Sequence, residues 1–117
     1  MQYFETIILE EADIFIFTLD DKVRKKVFYN IRVAERTNSP ELFKKLDSEI
    51  WEFRTLYAEK KIRVLAFWDK TDKTNTLVIA TSGFIKKTNK TPVNEIEKAK
   101  RIRVRYFEEK DVEFIKK

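Results

Sequence analysis

Three β-rich segments follow one another between residues 50 and 84 with only hairpin-sized gaps, and this spacing constrains the fold more than any other feature. Ile50–Tyr57, Ile62–Trp68 and Thr76–Phe84 carry the branched and aromatic side chains that favour strands. A parallel pair needs a crossover of about a dozen residues or more, and neither Ala58–Lys61 nor Asp69–Asn75 is long enough to supply one. The three are therefore expected as an antiparallel meander.

Helical signals flank this meander. Tyr3–Leu9 reads as a first strand. Ala12–Leu19 mixes strand-like Ile14, Phe15, Ile16 and Phe17 with polar flanks and is read as a short helix. Asp20 or Asp21 then opens a second helix, since an aspartate oxygen can accept from the free N–H groups of a first turn. Val23, Val27, Ile31 and Ala34 form its apolar stripe, with Arg24, Lys25, Lys26 and Arg32 beside it. Asn38-Ser39-Pro40 ends that helix, because a residue before proline is pushed out of the helical region. After a short linking segment and the meander, Thr91-Pro92 reads as a capping hydroxyl with proline at the first helical position. The last helix then carries Val93, Ile96, Ala99 and Ile102 on one stripe. The expectation is one α+β domain over residues 1–117. It has an N-terminal strand and helical hairpin, three meander strands completing a four-stranded sheet, and a C-terminal helix.

Composition narrows the chemistry. The 117 residues include no cysteine and no histidine. Disulfides, thiolate metal sites and cysteine nucleophiles are excluded, and so are His-dependent triads. A single glycine argues against a glycine-rich phosphate loop. No apolar run approaches the roughly 20 residues needed to span a bilayer. Met1-Gln2-Tyr3-Phe4-Glu5 lacks a basic region and cleavage site of the secretory type, so a cytoplasmic, membrane-free setting is expected. The net charge of +5 is uneven. Residues 1–21 hold six acids and no base, whereas residues 85–105 hold eight basic residues against two acids. Such a dipole suits anion binding at one end, although basic helix faces also serve plain solubility.

Strand alternation assigns faces. Trp51, Phe53, Thr55 and Tyr57 share one face with Ile62, Val64 and Ala66 of the next strand, which leaves Glu52, Arg54 and Arg63 on the other. The structural alternative is an ordinary cross-strand charge ladder. Lys86, Lys87 and Lys90 gather just before the last helix, either as a solvated turn or as further phosphate contacts. Two arginines and this cluster could grip a phosphate, and crowded positive charge would lower a lysine pKa toward a useful proton donor.

Three segments together carry a resemblance: Leu46-Asp47-Ser48-Glu49-Ile50-Trp51-Glu52-Phe53-Arg54, then Ile62-Arg63-Val64-Leu65-Ala66-Phe67, then Thr81-Ser82-Gly83-Phe84-Ile85-Lys86-Lys87-Thr88-Asn89-Lys90-Thr91-Pro92. In this order they resemble the phage-derived, HigB-like branch of the RelE/ParE toxins, over roughly residues 42–107. The resemblance implies a RelE-like fold with helices on one sheet face and a basic concave surface on the other. It implies a metal-independent, cofactor-free endoribonuclease that cuts mRNA on the ribosome and is silenced by an antitoxin, typically a helix-turn-helix protein. Carried over, Arg54 and Arg63 hold the scissile phosphate. Lys86 and Lys87 add phosphate contacts or protonate the leaving oxygen, and Glu52 acts as base or orients the arginines. Phe84 stacks on a base, and Lys90, Arg101 and Arg105 contact RNA. Ser82 stands where many relatives have histidine, and Phe84 where other branches have a catalytic tyrosine or histidine. A lysine or Glu52 must then move the proton. The alternatives are a non-enzymatic ParE-like gyrase inhibitor and an inactive relative that only binds antitoxin and nucleic acid.

Overall fold

The computed structural model describes residues 2–72 and 76–116, with side chains as far as Asp111. In chain order the elements are β1 (Glu5–Ile8), α1 (Glu10–Phe17), α2 (Asp21–Thr37), β2 (Phe43–Lys45), β3 (Trp51–Tyr57), β4 (Lys60–Asp69), β5 (Leu77–Lys86) and α3 (Val93–Lys116). The mixed α+β architecture and the antiparallel β3–β4–β5 meander agree with the sequence reading. The connection expected at 69–75 lies partly outside the described residues.

The sheet has five strands in the order β1-β5-β4-β3-β2, not four, with β1 parallel to β5. The extra strand is β2, inside the segment expected only to link α2 to the meander. It is held at the edge by aromatic contact: Phe43 stacks on Phe53 at 4.5 Å and on Trp51 at 5.0 Å between ring centroids. Three residues are too few to show a period, so this strand exists only through its partner.

Face assignment follows the alternation. Phe53, Ile62, Val64, Ala66, Val78 and Ala80 bury against the helical hairpin, where Ala12 and Ile16 of α1 and Val23, Val27, Ile31 and Ala34 of α2 complete the core. Asn30 of α2 donates to the Thr55 hydroxyl at 3.1 Å and pins β3 to the helix.

The opposite face departs from the expected open surface. Helix α3 covers half of it, with Ile96, Ala99, Tyr106 and Phe107 packed over Ile50, Leu65, Phe67 and Ile79. The cause is visible in β4, where Val64, Leu65, Ala66 and Phe67 are all buried; a strand apolar on both sides needs a cover on both sides. The expected stripe on α3 holds at Ile96, Ala99 and Ile102 and continues into Tyr106 and Phe107, while Val93 at its start is 69% exposed. Two expected caps are also absent. Among the described residues neither Asp20 nor Thr91 has a side-chain capping bond to its helix; the Thr91 hydroxyl instead donates to Glu52.

Two local features set the alignment. At the β3–β4 hairpin, Ala58 and Glu59 both adopt positive φ (48° and 67°), as a two-residue turn matched to strand twist requires. Further along, the β4–β5 register slips so that Leu65 faces Ser82 while Ala66 faces Ala80, which leaves Thr81 as a bulge. Its hydroxyl donates to the Leu65 carbonyl at 3.1 Å. Gly83, just beyond, is required by close approach: a Cβ there would lie 2.7 Å from Cε2 and 2.9 Å from Cγ of the Phe15 ring. Gly83→Ala is expected to lower unfolding free energy by about 1–3 kcal/mol through overpacking. A urea midpoint equal to that of the wild type would show that the ring does not sit against the strand.

Candidate phosphate site on the sheet face

The uncovered half of the second sheet face carries the charges. Arg54 on β3 is directly opposite Arg63 on β4, and Arg63 is opposite Phe84 on β5. One step along, Lys61 on β4 is opposite Lys86 on β5. The Arg54 N–H turns away from β4 to the Leu42 carbonyl (2.8 Å), which makes Arg54/Arg63 the non-hydrogen-bonded type of pair, whose side chains are closest. Like charges directly opposite one another are destabilising unless compensated.

One carboxylate lies among these four cations. Glu52 is 2% exposed, with Oε1 3.7 Å from Arg63 Nε and Oε2 3.8 Å from Arg54 Nε. These separations are ion pairs too long for hydrogen bonds. The Thr91 hydroxyl donates to Glu52 Oε1 at 3.0 Å and ties the start of α3 to the site. Arg63 is 4% exposed and donates from Nη1 to the Ile62 carbonyl at 3.2 Å. Both Arg54 Nε and Arg63 Nε are buried without a hydrogen-bond acceptor among the described residues. Burial costs such donors free energy until an acceptor arrives.

The same environment perturbs the titrating groups. Burial is the main cause of a Lys86 pKa below the ordinary lysine value; Glu52 opposes it, and Arg63, Arg54 and Lys61 reinforce it. Crowded charge, the cause expected from the sequence, is thus secondary to desolvation. Burial also lowers the Arg63 pKa, with Glu52 acting against it and Arg54 with it. A guanidinium stays protonated throughout the working range of proteins.

Of the residues singled out from the sequence, Glu52, Arg54, Arg63 and Lys86 come together on this face, with half-buried Phe84 between Arg63 and the α3 contact. Lys87 and Lys90 are exposed in the segment between β5 and α3, and Lys90 immediately precedes Thr91. Arg101 and Arg105 do not join the cluster. They lie about 12 and 18 Å along the helix from its first residue, at 1.5 Å per residue. Arg105 borders a hollow with Glu10 and Glu11 of α1. Other basic residues of α3 are already paired: Lys98 with Glu11 at 3.0 Å and Lys100 with Asp47 at 2.9 Å.

Sequence reasoning missed four residues at this end of the molecule. Thr91 had the outward signature of a cap. Lys61 was absorbed into a hairpin connection. Lys26 and Glu41 line an open pocket of about 460 Å³ together with Arg54, Lys61 and Arg63. No sequence signal distinguishes Lys26 from the other cations on α2, or Glu41 from a loop acid.

The site as a whole places buried Arg63, half-buried Arg54 and two lysines around the carboxylate of Glu52, with both arginine Nε donors unmatched among the described residues. No helix among the described residues is long and apolar enough to cross a membrane. In comparisons with known proteins, the family model described as "Phage derived protein Gp49-like (DUF891)" matches residues 15–104, a span that contains α2, the whole sheet except β1, and the cation cluster. No curated protein matches the chain.

Proposed function

The chain belongs to the phage-derived Gp49-like family, a RelE/HigB-like toxin-related group, and from that premise we propose that it is a toxin of the HigB-like branch that cleaves mRNA on the ribosome at the sheet-face cation site. An antitoxin partner fits the family and would hold the protein silent. The observation that carries this reading is the pair of buried, acceptor-less arginine Nε atoms in a like-charge cross-strand cluster. A phosphodiester on the open side of the cluster supplies the missing negative charge.

In this mechanism Arg54 and Arg63 hold the scissile phosphate and stabilise the charge that grows on it as the neighbouring 2′-hydroxyl attacks. The 2′-hydroxyl gives its proton to solvent as its oxygen bonds to phosphorus, the P–O bond to the 5′-oxygen breaks, a cyclic phosphate forms, and Lys86 gives its proton to the departing oxygen. Glu52 positions the guanidinium groups instead of serving as base, because it is buried with both carboxylate oxygens engaged. Phe84 offers a ring for base stacking. Lys87 and Lys90 extend the positive rim.

The test is induced expression in bacterial cells with mRNA ends mapped and DNA supercoiling assayed in parallel. Ribosome-phased cuts are expected. Growth arrest with intact mRNA and lost supercoiling would replace this reading with gyrase inhibition, and neither effect would leave only a binding protein.

The lowered Lys86 pKa gives a sign. A general acid is lost as pH rises through its pKa, so kcat/KM for RNA cleavage should fall on the alkaline side at a pH below the ordinary lysine value of about 10.4. Lys86→Arg keeps the charge but donates poorly, and should lose about 10²-fold or more. A phosphodiester with an activated aryl leaving group, which needs no proton, should restore most of that loss. Equal rates for wild type and Lys86→Arg on RNA would remove Lys86 from the proton-transfer role.

A further inference from the structure

Resting on the phosphodiester reading of the cation cluster, we infer that the open pocket beside it is a nucleobase subsite that selects guanine. The pocket, about 460 Å³, lies where β3 outruns β2: β2 pairs with Trp51–Phe53 only, so the edge of β3 beyond Arg54 is free of a strand. Antiparallel alternation fixes what that edge presents. Because the Arg54 N–H points to the β2 side, the Leu56 N–H and C=O, two residues on, point to the same side, where no strand pairs with them. They offer one donor and one acceptor to a planar ligand.

The side chains around this edge are unlike the rest of the site. Lys26 comes from α2 and Lys61 from β4, and Glu41 supplies an exposed carboxylate facing the same hollow. Guanine is the base that matches both signs. Its N1–H and N2–H groups are adjacent donors for one carboxylate, and its O6 and N7 are adjacent acceptors for lysine. Adenine, cytosine and uracil each lack one of these two donor or acceptor pairs. Arg54 and Arg63 line both the pocket and the cluster, so a base seated here lies next to the phosphate they grip. Lys26 adds a cation from the helical side of the sheet, which no residue of the cluster provides.

The experiment is equilibrium binding of uncleavable 2′-fluoro hexanucleotides, UUGUUU, UUAUUU, UUCUUU and UUUUUU, to the wild-type chain. UUGUUU is expected to bind about tenfold tighter than the other three. Glu41→Gln, which turns one acceptor oxygen into a donor, should reduce that preference to about twofold or less, read as the ratio of UUGUUU to UUUUUU affinity within the same variant. Lys26→Ala should weaken all four and lower the slope of log affinity against log salt by about one. Equal affinity for the four oligonucleotides, or a guanine preference that survives Glu41→Gln, would overturn the subsite while leaving the phosphate site standing. Failure of every oligonucleotide to bind would remove both.

Discussion

Arg63→Ala is expected to lower RNA cleavage by at least about 10²-fold, because in the proposed reaction it removes a charge that touches the phosphate as the transition state forms. The same change leaves Glu52 buried beside Arg54 and Thr91 with one cation fewer, and should cost about 2–4 kcal/mol of stability. Loss of activity in that variant alone could therefore reflect unfolding. Arg63→Lys separates the two effects. It keeps a cation against Glu52 and should hold the fold, but it lacks the planar fork that receives two phosphate oxygens at once, so cleavage should still fall by about tenfold or more. The measurement is single-turnover cleavage beside a thermal melt for each variant. A folded Arg63→Lys or Arg63→Ala protein that cuts RNA at the wild-type rate would remove the arginine from the reaction.

A second large stability effect is expected at the other end of β4. Asp69 is 0% exposed and accepts hydrogen bonds from Tyr106 (2.7 Å), Lys110 (2.7 Å) and the hydroxyl and N–H of Thr71 (2.7 and 3.0 Å). It is the clasp that fastens the far half of α3 to the sheet. Asp69→Ala should cost about 2–4 kcal/mol and lower Tm by about 10 °C or more. Burial alone would raise the Asp69 pKa, but the donors from Lys110, Thr71 and Tyr106 outweigh it and hold the carboxyl well below the usual range. A depressed carboxylate pKa contributes stability that is complete above the unfolded value near 3.9 and is lost as pH falls toward the folded one. Urea midpoints of wild type and Asp69→Asn should thus differ at pH 7 and converge as pH drops below about 4. A difference that stays constant down to pH 3 would show that ionisation of Asp69 is not what holds the helix.

Local patterns made the meander, the α2 stripe and the grouping of Glu52, Arg54 and Arg63 legible, because hairpin length and side-chain alternation depend on neighbours along the chain. What stayed hidden depends on distant partners. Asp69 reads as a loop acid until Tyr106 and Lys110, 37 and 41 residues on, are folded against it. Strand β2 has no period of its own. Thr91 precedes proline as a cap would, yet the nearest acceptor in space is Glu52. The cover over Leu65 and Phe67 was foreshadowed by four apolar residues in a row in β4, a signal that outweighs an expectation of one bare sheet face.

The Thr81 bulge has a consequence for how this strand tolerates change. Counted by twos from Ile79, a regular β5 would turn Phe84 and Lys86 toward the hairpin helices. The extra residue flips the facing once, so Ile79 lies under α3 and Lys86 still arrives beside Arg63. Core packing by Ile79 and the placement of Lys86 beside Arg63 are thereby reconciled along a single strand. Deleting Thr81 would therefore be accommodated: Ala80–Ala66 and Ser82–Leu65 become consecutive pairs of a regular ladder, and Phe84 and Lys86 keep their facing.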